Sequence, residues 1–146
     1  MTEQEILEGF RVNPNPCIAT LGSGRIVSFD TATDVCVIEW TATQAHCHSV
    51  KGHPRGGIVQ GGFVTGWLDA AMAHACVAKS RFTMGIPSLE IKVSFLLAAY
   101  PGIYRSKGWI TRWGRSIAFL EGELTDSENR VIARASSTVA PRPLRG

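Results

Sequence analysis

The sequence predicts an α+β domain in which one long helix packs against a strongly curved antiparallel sheet. Three observations predict it. A single stretch, Gly61 to Ser80, carries a long helical signal. Period-two alternation runs before that stretch and through most of the chain after it. The segments between the strands are short, and short turns join antiparallel neighbours. The chain of 146 residues makes one domain over 1–140, large enough to bury a core without staples, followed by a flexible tail at 141–146.

The elements follow in order. Thr2-Glu3-Gln4-Glu5 forms a capping box, with Thr2 as N-cap and Glu5 three residues on, so a short helix runs to about Phe10. Asn13-Pro14-Asn15-Pro16 breaks it. Arg25–Phe29 and Val35–Thr43 read as strands joined by the turn at Asp30–Asp34, and Cys36, Ile38, Trp40 and Ala42 share one face of the second. Residues 44–60 are irregular. After the long helix, Leu89, Ile91, Val93, Phe95 and Leu97 alternate with Glu90, Lys92, Ser94 and Leu96, the cleanest strand pattern present. Pro101-Gly102 turns into a strand over Ile103–Trp113. Gly114-Arg115 turns again into Ile117–Thr125, with Ala118, Leu120, Gly122 and Leu124 on one face. Asp126–Asn129 leads to a last strand, Val131–Val139. Gly22-Ser23-Gly24 is a turn and not a phosphate loop, because no helix follows it.

Composition excludes several classes. The chain is 45% hydrophobic and 18% charged, below the usual quarter, which rules out disorder for most of the chain and suggests surface covered by another chain. Lys and Arg number 15 against 12 Asp and Glu, a net +3 with Arg142 and Arg145 in the tail, so no strong nucleic-acid footprint exists. The longest apolar stretch, Phe63–Ala78, contains Asp69 and His74 and is too short and polar to span a bilayer. The four cysteines, Cys17, Cys36, Cys47 and Cys76, form no C-x-x-C pair. With an acidic, polar start and no signal-peptide pattern, a cytoplasmic protein with reduced thiols is expected.

Asp69 is the only acid between Gly56 and Ala78. Its neighbours at helical spacing are Gly62, Thr65, Gly66, Met72, Ala73 and Cys76, a mostly small stripe that another backbone or a ligand can approach. A carboxylate on so apolar a helix is costly unless paired or used. A water-filled groove or an interfacial cation would also accommodate it. Gln60-Gly61-Gly62 sits at the helix start, where free N–H groups and the positive dipole end gather. At ~1.5 Å rise per residue, Asp69 stands roughly 10 Å from that start, too far for both to serve one bound carbonyl within one chain. If they act together, two copies must meet at a symmetric interface.

Gln60-Gly61-Gly62-Phe63-Val64-Thr65-Gly66-Trp67-Leu68-Asp69 resembles the HGG-x6-D signature of hotdog-fold thioesterases of the phenylacetate-degradation (PaaI-like) type. Ser88–Phe95, Gly114-Arg115-Ser116, the acidic turn Asp126–Asn129 and the closing strand match that family in order and spacing, so the resemblance spans about 20–140. It departs at Gln60, where the family has His, and at Pro54, where the family has Asn. The resemblance implies a hotdog fold, a homodimer or dimer of dimers (a homotetramer), and hydrolysis of acyl-CoA thioesters without metal or other cofactor. It makes Gly61 the backbone donor to the thioester carbonyl, Asp69 of the partner the nucleophile or general base, and Ser88 a residue holding the water or the acid. Gln60, Gly62, Trp67, Arg112 and Arg115 are the candidate substrate contacts. Such an assignment is chemically coherent: an N–H at a helix start stabilises an oxyanion by roughly 3 kcal/mol.

Other candidates have plainer readings. His46, Cys47, His48 and His53 are donors without a recognised metal spacing and fit a solvated loop. His74 is off the Asp69 face and fits a packed core histidine. Trp40, Trp67, Trp109 and Trp113 are core or interface residues, although Trp67 and Met72 adjoin Asp69 closely enough to line an acyl pocket. Arg105, Lys107, Arg112 and Arg115 lie on one hairpin, either as CoA phosphate contacts or as a solvated face. A non-catalytic hotdog protein binding an acyl-CoA is the alternative function, favoured by the missing His and Asn. A hotdog hydratase ranks last, since that chemistry pairs the missing His with an acid.

Overall fold

A computed structural model describes residues 1–145. Helix α1 spans Glu3–Val12, and its capping box forms as expected: the Thr2 hydroxyl accepts from the Glu5 N–H at 3.2 Å while the Glu5 carboxylate accepts from the Thr2 N–H at 2.6 Å. Ile6 and Phe10 are its buried face, and Glu3 accepts from the Phe29 N–H at 3.2 Å, tying α1 to the first strand. A second helix, α2 (Pro16–Gly22), stands where the sequence reads only as a break. Asn15 caps it by accepting from the Cys17 N–H, Pro16 fills the first turn where its missing N–H costs nothing, and Ser23 ends it in the left-handed region.

Strands β1 (Arg25–Asp30) and β2 (Val35–Ala42) form a hairpin. Cys36, Ile38, Trp40 and Ala42 are all buried, as their alternation predicts. The irregular stretch after β2 holds a 3₁₀ turn at Gln44–His46 and a two-strand ladder of β3 (Cys47–His48) with β4 (Ile58–Val59). The long helix α3 runs Gly61–Lys79. It is followed by β5 (Met84–Gly85), β6 (Ser88–Phe95), β7 (Gly102–Trp113), β8 (Ala118–Asp126), β9 (Val131–Val139) and β10 (Arg142–Pro143). Of the residues expected as a loose tail, Arg142 and Pro143 pair antiparallel with Gly85 and Met84, and Gly146 lies outside the described residues.

The main sheet has six antiparallel strands in the order β1-β2-β7-β8-β9-β6. The expectation that successive late strands are neighbours therefore fails at β6 and β7. Residues 96–101 carry the chain across the sheet, so β6 pairs with β9 while β7 fills the gap beside β2. The sheet wraps α3, and two glycines let it close. Gly108 and Gly122 face one another across β7 and β8, and a Cβ at Gly108 would fall inside contact distance of the Ala71 and Met72 backbone. A Cβ at Gly122 would stand 3.2 Å from the Met72 side chain. These small positions form the trough in which the helix lies.

Trp40, Trp67 and Tyr104 stack through the core, with ring centroids 5.9 and 5.8 Å apart. The Trp40 indole N–H donates to Ser106 Oγ at 2.8 Å, and the Trp67 N–H donates to the Leu21 carbonyl at 2.8 Å, which fastens α2 to α3. No helix among the described residues is long and apolar enough to cross a membrane.

Candidate active site

Helix α3 is buried on all faces but one. Gly62, Thr65, Gly66, Asp69, Ala73 and Val77 remain wholly or partly open, and they recur at three- and four-residue spacing. Asp69 is thus the only carboxylate on a stripe of small residues at the protein surface. Its Oδ1 accepts a hydrogen bond from the Ser88 hydroxyl at 2.9 Å.

Simple alternation puts Ser88 on the Glu90 and Lys92 face of β6, away from the helix. A break in register between Ser88 and Glu90 changes this: Ser88 pairs with Val139 and Glu90 with Thr138, which leaves Leu89 as the extra residue of a bulge. The bulge moves Ser88 to the face of Ile91, toward α3. The Ser137 hydroxyl donates to the Glu90 carbonyl at 2.8 Å beside it.

At the other end of the stripe, Gln60 is the N-cap of α3, and its Oε1 accepts the Gly62 N–H at 2.6 Å. The Gly62 amide, expected to touch substrate, is thereby occupied. Phe63 donates to the Gln60 carbonyl at 3.0 Å. Among the described residues the Gly61 N–H has no partner, so it is the open amide at this helix start. A Cβ at Gly61 would lie 3.1 Å from the Phe95 ring. The glycine lets that ring cover the helix start.

Beside Gly61 a groove of about 310 Å³ is lined by Ile58, Val64, Phe95, Leu97 and Ile132. Sequence reasoning does not single out Phe95 or Leu97 as site residues. Their signal is the apolar run of β6, a sheet edge, and of the residues just after it: Leu89, Phe95, Leu96 and Leu97 are each more than half exposed.

Three expected contacts do not line the groove beside Gly61. Trp67 is fully buried in the aromatic stack and presents no surface to a ligand, because packing against Trp40 and Tyr104 takes both its faces. Arg112 and Arg115 are exposed by the β7–β8 turn and form no ion pair among the described residues. Arg105 of the same hairpin is held by Glu39, which also binds Arg25, and the two guanidinium groups keep the Glu39 carboxyl below its ordinary range. In the loop before α3, the His46 Nδ1 accepts the Thr43 N–H at 2.9 Å and its ring meets Phe63 edge-on. His53 packs beside Tyr100, which also carries the Arg55 guanidinium 4.0 Å from its ring centroid.

Comparison with known proteins agrees with this architecture. Residues 56–133 match the model of the thioesterase superfamily. No curated protein matches the sequence. Among solved structures, a phenylacetic acid degradation-related protein from Ralstonia eutropha JMP134 superposes with a TM-score of 0.80 at 26% identity, covering 92% of this chain and 98% of that one. The PaaI protein of the Escherichia coli phenylacetic acid degradation operon superposes with a TM-score of 0.79 at 15% identity, over 99% and 98% of the two chains. A point mutant of the phenylacetic acid degradation protein PaaI from Thermus thermophilus gives 0.71 at 16% identity, over 86% and 98%. The family model covers more than half of the sequence, and the helix-in-sheet architecture is the hotdog fold shared with PaaI-like proteins: the chain belongs to the thioesterase superfamily.

Proposed function

We propose that the protein is an acyl-CoA thioesterase whose reaction centre is shared between two copies of the chain. The observation that carries this reading is the Ser88–Asp69 pair on the one open stripe of α3. Asp69 and the open Gly61 amide lie eight positions apart on one rigid helix, so one chain cannot close both on the same carbonyl, whereas a second copy packed against the stripe can. The unpaired edge of β6, with exposed Leu89 and Phe95 and with Leu96 and Leu97 exposed just after it, favours such a partner, because an edge of that kind is normally covered.

In this scheme the thioester carbonyl accepts from the Gly61 N–H of one copy. Asp69 of the other takes a proton from a water as that water attacks the carbonyl carbon. Negative charge develops on the carbonyl oxygen, where the helix N–H and dipole end stabilise it. The tetrahedral intermediate collapses with loss of the CoA thiolate, and the free acid remains. Ser88 occupies Asp69 Oδ1 and leaves Oδ2 for the water. The groove under Phe95 receives the acyl group.

Thiol release from a panel of acyl-CoAs tests the reading. Wild type should turn over, and Asp69→Asn should lose at least ~100-fold, the scale of removing a positioned base. Mixing Asp69→Asn with Gly61→Val should restore up to about a quarter of wild-type activity, since half of randomly paired dimers then hold one intact site of two. Equal turnover by Asp69→Asn would remove the carboxylate from the chemistry. Tight binding without turnover would support the alternative, an acyl-CoA-binding protein, in which Gln60 caps the helix and assists no reaction.

A further inference from the structure

A second cavity, of about 350 Å³, lies on the other side of α3, beneath α1 and α2 and against β1. Its apolar wall comes from Leu7, Phe10, Ile18 and Ile26, and one polar side chain reaches it from below, His74. None of the site residues described above lines it.

Each polar side chain at its rim has a protein partner. Arg11 pairs with Glu8 at 2.5 Å and Arg25 with Glu39 at 3.1 Å. Asn13 donates to the Gly9 carbonyl at 3.2 Å, and Asn15 accepts from the Cys17 N–H at 3.4 Å. Both guanidinium groups are paired and mostly exposed to water, so the apolar wall beneath them is what a ligand in the cavity meets. His74 is different. It is 8% exposed, and its Nδ1 lies 2.7 Å from the Ala70 carbonyl, which can only accept, so Nδ1 carries the proton. Burial keeps the imidazole neutral. Nε2 is therefore a bare acceptor. It has no protein partner among the described residues, and no side-chain nitrogen or oxygen there is both sealed and unpartnered, so Nε2 opens onto accessible space. The cavity is the space that His74 lines.

A dry apolar cavity of about 150 Å³ takes up benzene but penalises a hydroxyl, which loses its hydrogen bond on entry. One bare acceptor in an apolar wall reverses that preference. We propose that this cavity is a binding site for a small uncharged alcohol of mainly apolar body, a phenol being the type, whose hydroxyl donates to His74 Nε2.

The test uses the whole protein labelled with ¹⁵N, titrated separately with phenol and with benzene. Phenol should shift the His74 Nε2 resonance and the amides of residues lining the cavity in a saturable way, and should bind at least as tightly as benzene. His74→Phe should reverse that order, weakening phenol by ~10-fold or more while sparing benzene. Ala19→Trp, an exposed position on the rim, should block both. Tighter binding of benzene than phenol by wild type would overturn the proposal without any variant. So would the absence of saturable shifts, the mark of a site that holds only water, or phenol binding that survives Ala19→Trp.

Discussion

Replacing Ser88 with alanine isolates the contact that joins β6 to the helix carboxylate. The hydroxyl donates to Asp69 Oδ1 at 2.9 Å, and the acceptor lies on a partly open face, so its loss leaves no sealed cavity and little change in fold. A hydrogen bond to a charged group is worth about 1.5–3 kcal/mol. At about 1.36 kcal/mol per factor of ten, removing it should lower kcat by about 10- to 150-fold if the bond holds the carboxylate in its working rotamer. KM should change little, because Ser88 sits against the acid and not in the apolar groove. The assay is thiol release under saturating acyl-CoA for wild type, Ser88→Ala, Asp69→Asn and the double variant. Groups that act as a unit are not additive, so the double variant should be no slower than Asp69→Asn alone. Full multiplication of the two losses would show that Ser88 works independently of Asp69 and would refute the reasoning.

Two further predictions concern the scaffold. Gly108→Ala pushes a methyl group into the backbone of α3 at Ala71 and Met72, which cannot yield as a side-chain tip can, and should cost at least about 1–3 kcal/mol in urea unfolding. Burial lowers the His74 pKa below its ordinary 6.5, so the unfolded chain binds more protons than the folded one as pH falls past that value. This part of the stability is complete above pH 6.5 and lost on acidification toward the lower folded pKa; unfolding midpoints measured from mildly alkaline to mildly acidic pH should show the decline, and His74→Leu should flatten it.

Elements whose signals are local were legible in the sequence. The Thr2–Glu5 capping box, the buried alternation of β2 and β8, and the bounds of α3 follow from the residues alone. Helix α2 was missed: Asn15 before Pro16 is a start signal, but the same prolines read more simply as a break. The strand order was not legible, because a turn of six residues can either close a hairpin or cross a sheet. Ser88 shows the sharpest limit. Counting by two places it away from Asp69, and only the extra residue at Leu89 turns it back; a bulge in a strand of ordinary composition leaves no mark on the sequence. The apolar run of β6 is plainly a strand, yet its exposure at the sheet edge depends on which neighbour is missing.

The aromatic column of Trp40, Trp67 and Tyr104 has a practical use. It fixes two of the four tryptophans in the protein's interior, clamped between β2, α3 and β7, while Asp69 and Ser88 lie outside it. Rigid rings of this kind give a near-ultraviolet circular dichroism band that disappears when side-chain packing loosens, even where helix content persists. A silent Asp69 or Ser88 variant that keeps this band has lost its chemistry and kept its architecture, so the protein carries its own internal control.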